Sequence, residues 1–270
     1  MGHAAHLPLI FVIEARTGLS RVHNRSMALS RSSRAAALAA AALALGGGGA
    51  YAADAPDGAK KVSNETTVTR YANPNDSGAI RSAPERGAHL MAHLRINTED
   101  RLPNVYIVLR SWVDPKGGAT WYDVRIPGRP NGRTGWVRAE SLGPLQTVHT
   151  QLTVDRHTLR ATLFRNGRKV FRAPIGVGKA STPTPGGQFW IRERLVLKGG
   201  HGAYGPLAFG TSAYSDKLTD WPRGGVVGIH GTNEPRLVPG RPSHGCVRMH
   251  NGDIKRLGRL MPVGTPVLIK

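Results

Sequence analysis

The chain has 270 residues, 40% of them hydrophobic, with 37 Lys and Arg against 17 Asp and Glu and a net charge of +20. That much apolar material buries a core and excludes wholesale disorder, and at about 150 residues per domain the length suggests two domains. A single cysteine excludes an internal disulfide framework and any zinc finger built on several cysteines.

In chain order, a leader comes first. Arg31 and Arg34 precede an apolar run from Ala35 to Leu45, and a small-residue tract ends in Ala50-Tyr51-Ala52. This is the tripartite plan of a secretory signal peptide. Residues 1–52 are therefore read as a signal-peptide region, starting at Met27 or as a longer leader from Met1, and the product is expected outside the cytoplasm, in the periplasm or cell wall. An apolar run of this length spans about 16 Å as helix against a bilayer core of about 30 Å, so an integral membrane protein is not expected. Without the leader the net charge is +16. On an exported protein such a charge suits anionic wall polymers or lipid headgroups. Nucleic acid is the usual partner of a basic chain, but no such motif is present and only 6% of residues are aromatic.

Residues 53–66, with Pro56, Gly58 and Lys60-Lys61, read as a linker. From 67 to 143 short strand signals alternate with turns. Val105–Leu109 is one apolar run, and Trp121–Ile126 and Gly135–Arg138 alternate in and out. Between the last two, Arg129-Pro130-Asn131-Gly132 predicts a tight hairpin turn. The stretch WYDVRIPGRPNGRTGWVRAESL, with its Gly135-Trp136-Val137, resembles a bacterial SH3-like domain, which implies a small barrel. A β-extension with no binding role of its own is the alternative reading.

The remainder, 148–270, begins with strands over Gln151–Val154 and Thr158–Phe164, turned at Asn166-Gly167 into Lys169–Ala173. Prolines and glycines from Pro174 to Gly187 mark a long loop. Phe189–Leu197, Val226–Ile229 and Val267–Ile269 are further strand signals, and Asp253–Leu260 has helical spacing of Ile254 and Leu257. The fold class is all-β, with one short helix near the end.

The chemistry concentrates here. Val226–Ile229 delivers His230 at its end, and thirteen residues on comes Ser243-His244-Gly245-Cys246. In an extended segment residues i and i+2 share a face, so His244 and Cys246 are expected to project together. A neighbouring imidazole takes the proton of a thiol whose free pKa is about 8.5, giving an ion pair competent to attack an acyl group. Gly245 allows close approach and an exposed amide N–H for an oxyanion. An unpaired cysteine is uncommon in an oxidising compartment, which favours function over packing. Bare spacing names His244 as the base, while a histidine at the end of a neighbouring strand, His230, also faces a thiol across a sheet.

The segment IHGTNEP…GRPSHGCVRM resembles the signature of the L,D-transpeptidase catalytic domain, and Gly205–Ser212 with Gly264–Val267 extend the resemblance over about 148–270. It implies a mostly β, sandwich-like catalytic domain acting on peptidoglycan stem peptides without a cofactor. Cys246 would be the nucleophile and His230 the proton acceptor and donor, oriented by the backbone carbonyl of Gly231. Gly245 and Cys246 N–H groups would hold the oxyanion, and His244 and Ser243 would line the pocket. Arg248 stands where many members carry Asn, and attracts substrate carboxylates or serves in a surface ion pair. Tyr204 belongs to a Gly-rich loop suited to a lid. Three other classes compete: a metal site of His230, His244, Cys246 and His250, a wall-binding module with an inactive catalytic domain, and a Cys-His wall hydrolase or carboxypeptidase.

Overall fold

The computed structural model describes residues 55–200, 202–220 and 222–270. The expected signal-peptide region and Met27 lie outside the described residues. No helix among the described residues is long and apolar enough to cross a membrane.

The first sheet comprises β1 (Lys60–Lys61), β2 (Thr69–Ala72), β3 (Ala79–Arg81), β4 (Leu90–His93), β5 (Tyr106–Val113), β6 (Thr120–Arg125), β7 (Thr134–Arg138) and β8 (Gln146–Val148). Its order is β4-β3-β7-β6-β5-β2-β8, with β1 added against β5 and every pairing antiparallel. The end strands β4 and β8 do not pair with each other, so the hydrogen bonds establish an antiparallel sheet and no barrel closure. One face buries Ile80, Tyr106, Val108, Val124 and Val137.

Three expectations change. The supposed linker joins this sheet: Lys60 and Lys61 pair with Ser111 and Arg110, Ser63 Oγ donates to the Val108 carbonyl at 2.5 Å, and Arg125 forks the Glu65 carboxylate at 2.6 and 2.7 Å. Backbone pairing uses no side chain, so exposed lysines hide an edge strand from any reading of composition. The sheet also runs past 143, because β8 pairs with β2. Finally, the β6–β7 connection is not a two-residue turn. It spans 126–133, with Gly128 and Gly132 left-handed and Asn131 not, because the Asn131 amide is committed to the Tyr214 backbone at 2.8 and 3.0 Å.

The second sheet comprises β9 (Thr150–Asp155), β10 (Arg160–Arg165), β11 (Arg168–Pro174), β12 (Gly176–Gly178), β13 (Gly187–Val196), β14 (Leu207–Tyr214), β15 (Val226–His230), β16 (Gly240–Ser243), β17 (Val247–Arg248) and β18 (Pro266–Ile269), with α1 (Asn251–Leu260) before the last strand. Asn166 and Gly167 both adopt positive φ, so the predicted hairpin forms with Arg165 opposite Arg168. The order is β11-β10-β9-β18-β13-β14-β15-β17-β12-β16. β13 pairs with β18 over Gly187–Trp190 and with β14 from Ile191 onward, so it belongs to both halves. Both halves and α1, through Ile254 and Leu257, bury their apolar residues in one core. Between the sheets a small cluster of Val105, Ile107 and Trp190 forms the seam, where Trp190 Nε1–H donates to the Val105 carbonyl at 2.9 Å.

Candidate active site

β15 buries Val227 and Ile229 and turns Val226, Gly228 and His230 to its other face. It runs parallel to β17, with Ile229 opposite Val247 and His230 opposite Arg248. That register sets Cys246 beside Gly228, whose N–H donates to Cys246 Sγ at 3.3 Å. A Cβ at position 228 would lie 3.8 Å from His230 Cδ2 and 3.9 Å from Cys246 Sγ, so both side chains border the same position.

His230 is 4% exposed, and its Nδ1 lies 2.6 Å from the Gly231 carbonyl oxygen. A carbonyl only accepts, so Nδ1 carries the proton and Nε2 keeps the lone pair. Burial holds the imidazole neutral, with its pKa down to about 4; the Gly231 hydrogen bond opposes that shift and Arg248 adds to it. Burial pushes the Cys246 thiol up, against the pull of the Gly228 N–H, Arg248 and Arg223. At neutral pH both groups are uncharged in this arrangement. Burial therefore disfavours the imidazolium–thiolate ion pair expected of a thiol beside an imidazole.

Between the end of β16 at Ser243 and the start of β17 the chain bends at His244 and Gly245, with Gly245 at φ +122°. The strand alternation behind the expected shared face of His244 and Cys246 does not run through this bend, and both residues border one cavity. Ser243, 2% exposed, donates its Oγ–H to the Cys246 carbonyl at 2.6 Å and accepts the Gly245 N–H at 3.1 Å. Its hydroxyl thus ties the bend. The Gly245 amide, expected as an oxyanion donor, is directed at Ser243 instead. Thr184 completes the brace: its Oγ1–H donates to the Gly245 carbonyl at 2.8 Å, and it accepts the Gly178 N–H at 2.9 Å. Nothing in the Pro- and Gly-rich loop around Thr184 signals that role. His244 is exposed, with Nε2 3.3 Å from Lys179 Nζ; partial burial, then Lys179 and Arg248, lower its pKa.

These residues surround a cavity of about 120 Å³ lined by Tyr204, Ser215, Leu218, Val226, His230, Ser243, His244, Cys246 and Arg248, among others. The Tyr204 ring, half-exposed, sits 4.7 Å from the His230 ring at 59°. Arg248 lines the cavity and pairs with Glu234 at 2.6 Å. Asn251, at the start of α1, was not legible as a site residue. Its Oδ1 accepts the Thr232 N–H at 2.8 Å, and a Cβ at Gly205 or Gly231 would come within 2.3 or 2.4 Å of it. It thereby holds the chain just past the Gly231 carbonyl and packs closely against Gly205, the neighbour of Tyr204. His250 Nε2 lies 3.1 Å from the Pro235 carbonyl oxygen, and no three His, Cys, Asp or Glu side chains among the described residues converge as metal ligands would.

Comparison with known proteins matches residues 149–269 to the L,D-transpeptidase catalytic domain of the YkuD family. YkuD of Bacillus subtilis, which carries the name of an L,D-transpeptidase, is 38% identical over 122 residues, 45% of this chain and 65% of its own. Its namesake in Bacillus licheniformis is 39% identical over 124 residues, 46% and 67% of the two chains. The chain thus spans 65% to 67% of the length of these two relatives. Among solved structures, a variant of the Enterococcus faecium L,D-transpeptidase is 26% identical, covers 45% of this chain and 49% of its own, and superposes with a TM-score of 0.34.

Proposed function

The chain belongs to the YkuD family of L,D-transpeptidases, and from that premise we propose that it is an exported cysteine transpeptidase of peptidoglycan stem peptides. The observation that carries the chemistry is the placement of Cys246 Sγ and the His230 ring about one glycine position, with His230 Nδ1 committed to the Gly231 carbonyl.

In the first half-reaction Cys246 Sγ attacks the carbonyl between the diamino acid and the terminal D-Ala of a tetrapeptide stem. Nε2 of His230 accepts the thiol proton as the bond forms, since the neutral pair has no thiolate in reserve. The Cys246 N–H supports the developing oxyanion, the Gly245 N–H being directed at Ser243. The imidazolium then protonates the leaving amine and D-Ala departs, leaving a thioester. In the second half-reaction the side-chain amine of another stem attacks the thioester, its proton passes to Nε2, and the expelled thiolate recovers that proton. The product is a 3→3 crosslink and the free enzyme. Arg248 and His244 line the cavity from the bend side, where Arg248 offers positive charge to the carboxylates of the stem. Export rests on the leader plan of residues 1–52, and the basic surface suits an anionic wall. The first sheet is the part that resembles an SH3-like domain.

Incubation of the intact protein with disaccharide-tetrapeptide, followed by mass analysis, tests the proposal. Crosslinked dimers with release of D-Ala are the expected products. Trimmed monomers alone identify a carboxypeptidase, and unchanged substrate identifies a binding module.

A further inference from the structure

The cavity wall formed by Ser215, Leu218 and Gly225 is not held by the second sheet alone. Ser215 N–H donates to the Gly225 carbonyl at 2.9 Å and closes the two stems of this wall. The carbonyls of the wall turn toward the first sheet, where Arg129 in the β6–β7 loop meets them. Its Nε–H and Nη2–H donate to the Ser215 carbonyl at 2.8 and 2.6 Å, and Nη2 also reaches the carbonyls of Gly224 at 2.9 Å and Leu218 at 3.2 Å. The guanidinium stacks 5.4 Å from the centre of the Tyr214 ring, and Asn131 of the same loop closes a two-way amide pair with the Tyr214 backbone. A second loop of the first sheet contributes Asp100, paired with Arg223 at 2.6 Å.

The local backbone is shaped to this guanidinium. Arg223, Gly224 and Gly225 all have φ between +63° and +77°, which no other consecutive trio among the described residues matches. A Cβ at Gly225 would meet the Leu218 carbonyl oxygen at 2.1 Å and Arg129 Nη2 at 2.8 Å. Left-handed backbone of this kind persists only where its surroundings hold it. These carbonyls run from buried at Ser215 to exposed at Gly224, and a planar fork with five donors joins several of them from one point where an ammonium would not.

We propose that Arg129 is a positioning residue for the catalytic cavity, a side chain of the first sheet that fixes the Ser215–Leu218–Gly225 wall against which the stem peptide binds. The wall is part of the substrate site only if the proposed transpeptidase reading is right, whereas its dependence on Arg129 is not tied to that reading. The first sheet is then a structural part of the active site in addition to any ligand of its own.

Arg129→Ala and Arg129→Lys in the intact chain test this with three readouts. In the first, Arg129→Ala raises the KM for tetrapeptide about tenfold to a hundredfold while kcat stays within about threefold, with Arg129→Lys in between. In the second, the pH profile of Cys246 alkylation by iodoacetamide, a reagent too small to need the wall, stays that of the wild type. In the third, amide exchange quickens at Ser215 to Leu218 and at Gly224 and Gly225 and not at β15. Unchanged KM and exchange in Arg129→Ala would overturn the proposal, as would loss of alkylation and protection throughout the second sheet, which marks a general loss of fold. A wild type that releases no D-Ala refutes the transpeptidase reading, and amide exchange still decides whether Arg129 holds the wall.

Discussion

Two histidines border the same cavity and differ in everything that decides proton transfer. His230 closes a central strand, is sealed from solvent and has one nitrogen committed to a carbonyl. His244 sits in a bend two residues from the cysteine, exposed and beside Lys179. The near one in sequence is open to solvent and has a cation at its Nε2. The distant one is a neutral base with its acceptor nitrogen determined. Proximity along the chain is thus the poorer guide, because a register between parallel strands fixes side-chain positions more tightly than a bend does.

The comparison is broken most severely by removing the buried ring. His230→Gln should lower the rate of D-Ala release by about 10²–10⁴-fold, the range of general base catalysis. A loss within about threefold, measured at saturating tetrapeptide, would assign the proton to another group.

Its buried, neutral state has a thermodynamic counterpart. The folded pKa of about 4 lies below the ordinary value of 6.5, so the unfolded chain binds the proton first and stability is lost as pH falls from about 6.5 to about 4. The wild type should lose up to about 3 kcal/mol over that window relative to His230→Gln, whose side chain does not titrate. Urea unfolding of the two proteins at pH 7, 5.5 and 4.5 measures the difference; parallel curves would mean that the ring is not held neutral by burial.

The bend itself comes next. Thr184→Val removes the hydroxyl that joins Gly178 to Gly245 and keeps the shape, so Cys246 loses one of its supports. Acylation should slow by about 10- to 100-fold, the usual cost of misplacing a reacting group, and Thr184→Ser should restore most of it. The smallest effect belongs to His244→Ala, a rise of a few-fold in KM with kcat retained, read in the same assay.

Much of this arrangement was legible in the chain. The Asn166-Gly167 hairpin, the helix with Ile254 and Leu257, and the strand ending in His230 follow from local pattern, and all are present. β14 did not announce itself, because all eight of its residues are buried and no alternation marks them as a strand. Cys246 stood out as the single cysteine beside Ser243 and Gly245. The helpers of the site did not. Thr184 and Asn251 act through one oxygen each on backbone groups distant in sequence, and no local periodicity encodes such a contact. Asn131 misled for a related reason: its local preference for a tight turn yields to hydrogen bonds with a strand 83 residues away.

The most direct test of the site is the mass of the protein itself under single-turnover conditions with tetrapeptide at pH 7. The account predicts a thioester adduct mapped to Cys246 in the wild type and in His244→Ala at similar rates, with its formation slowed by about 10²-fold or more in His230→Gln. An adduct that forms normally in His230→Gln and disappears in His244→Ala would contradict it and exchange the roles of the two histidines.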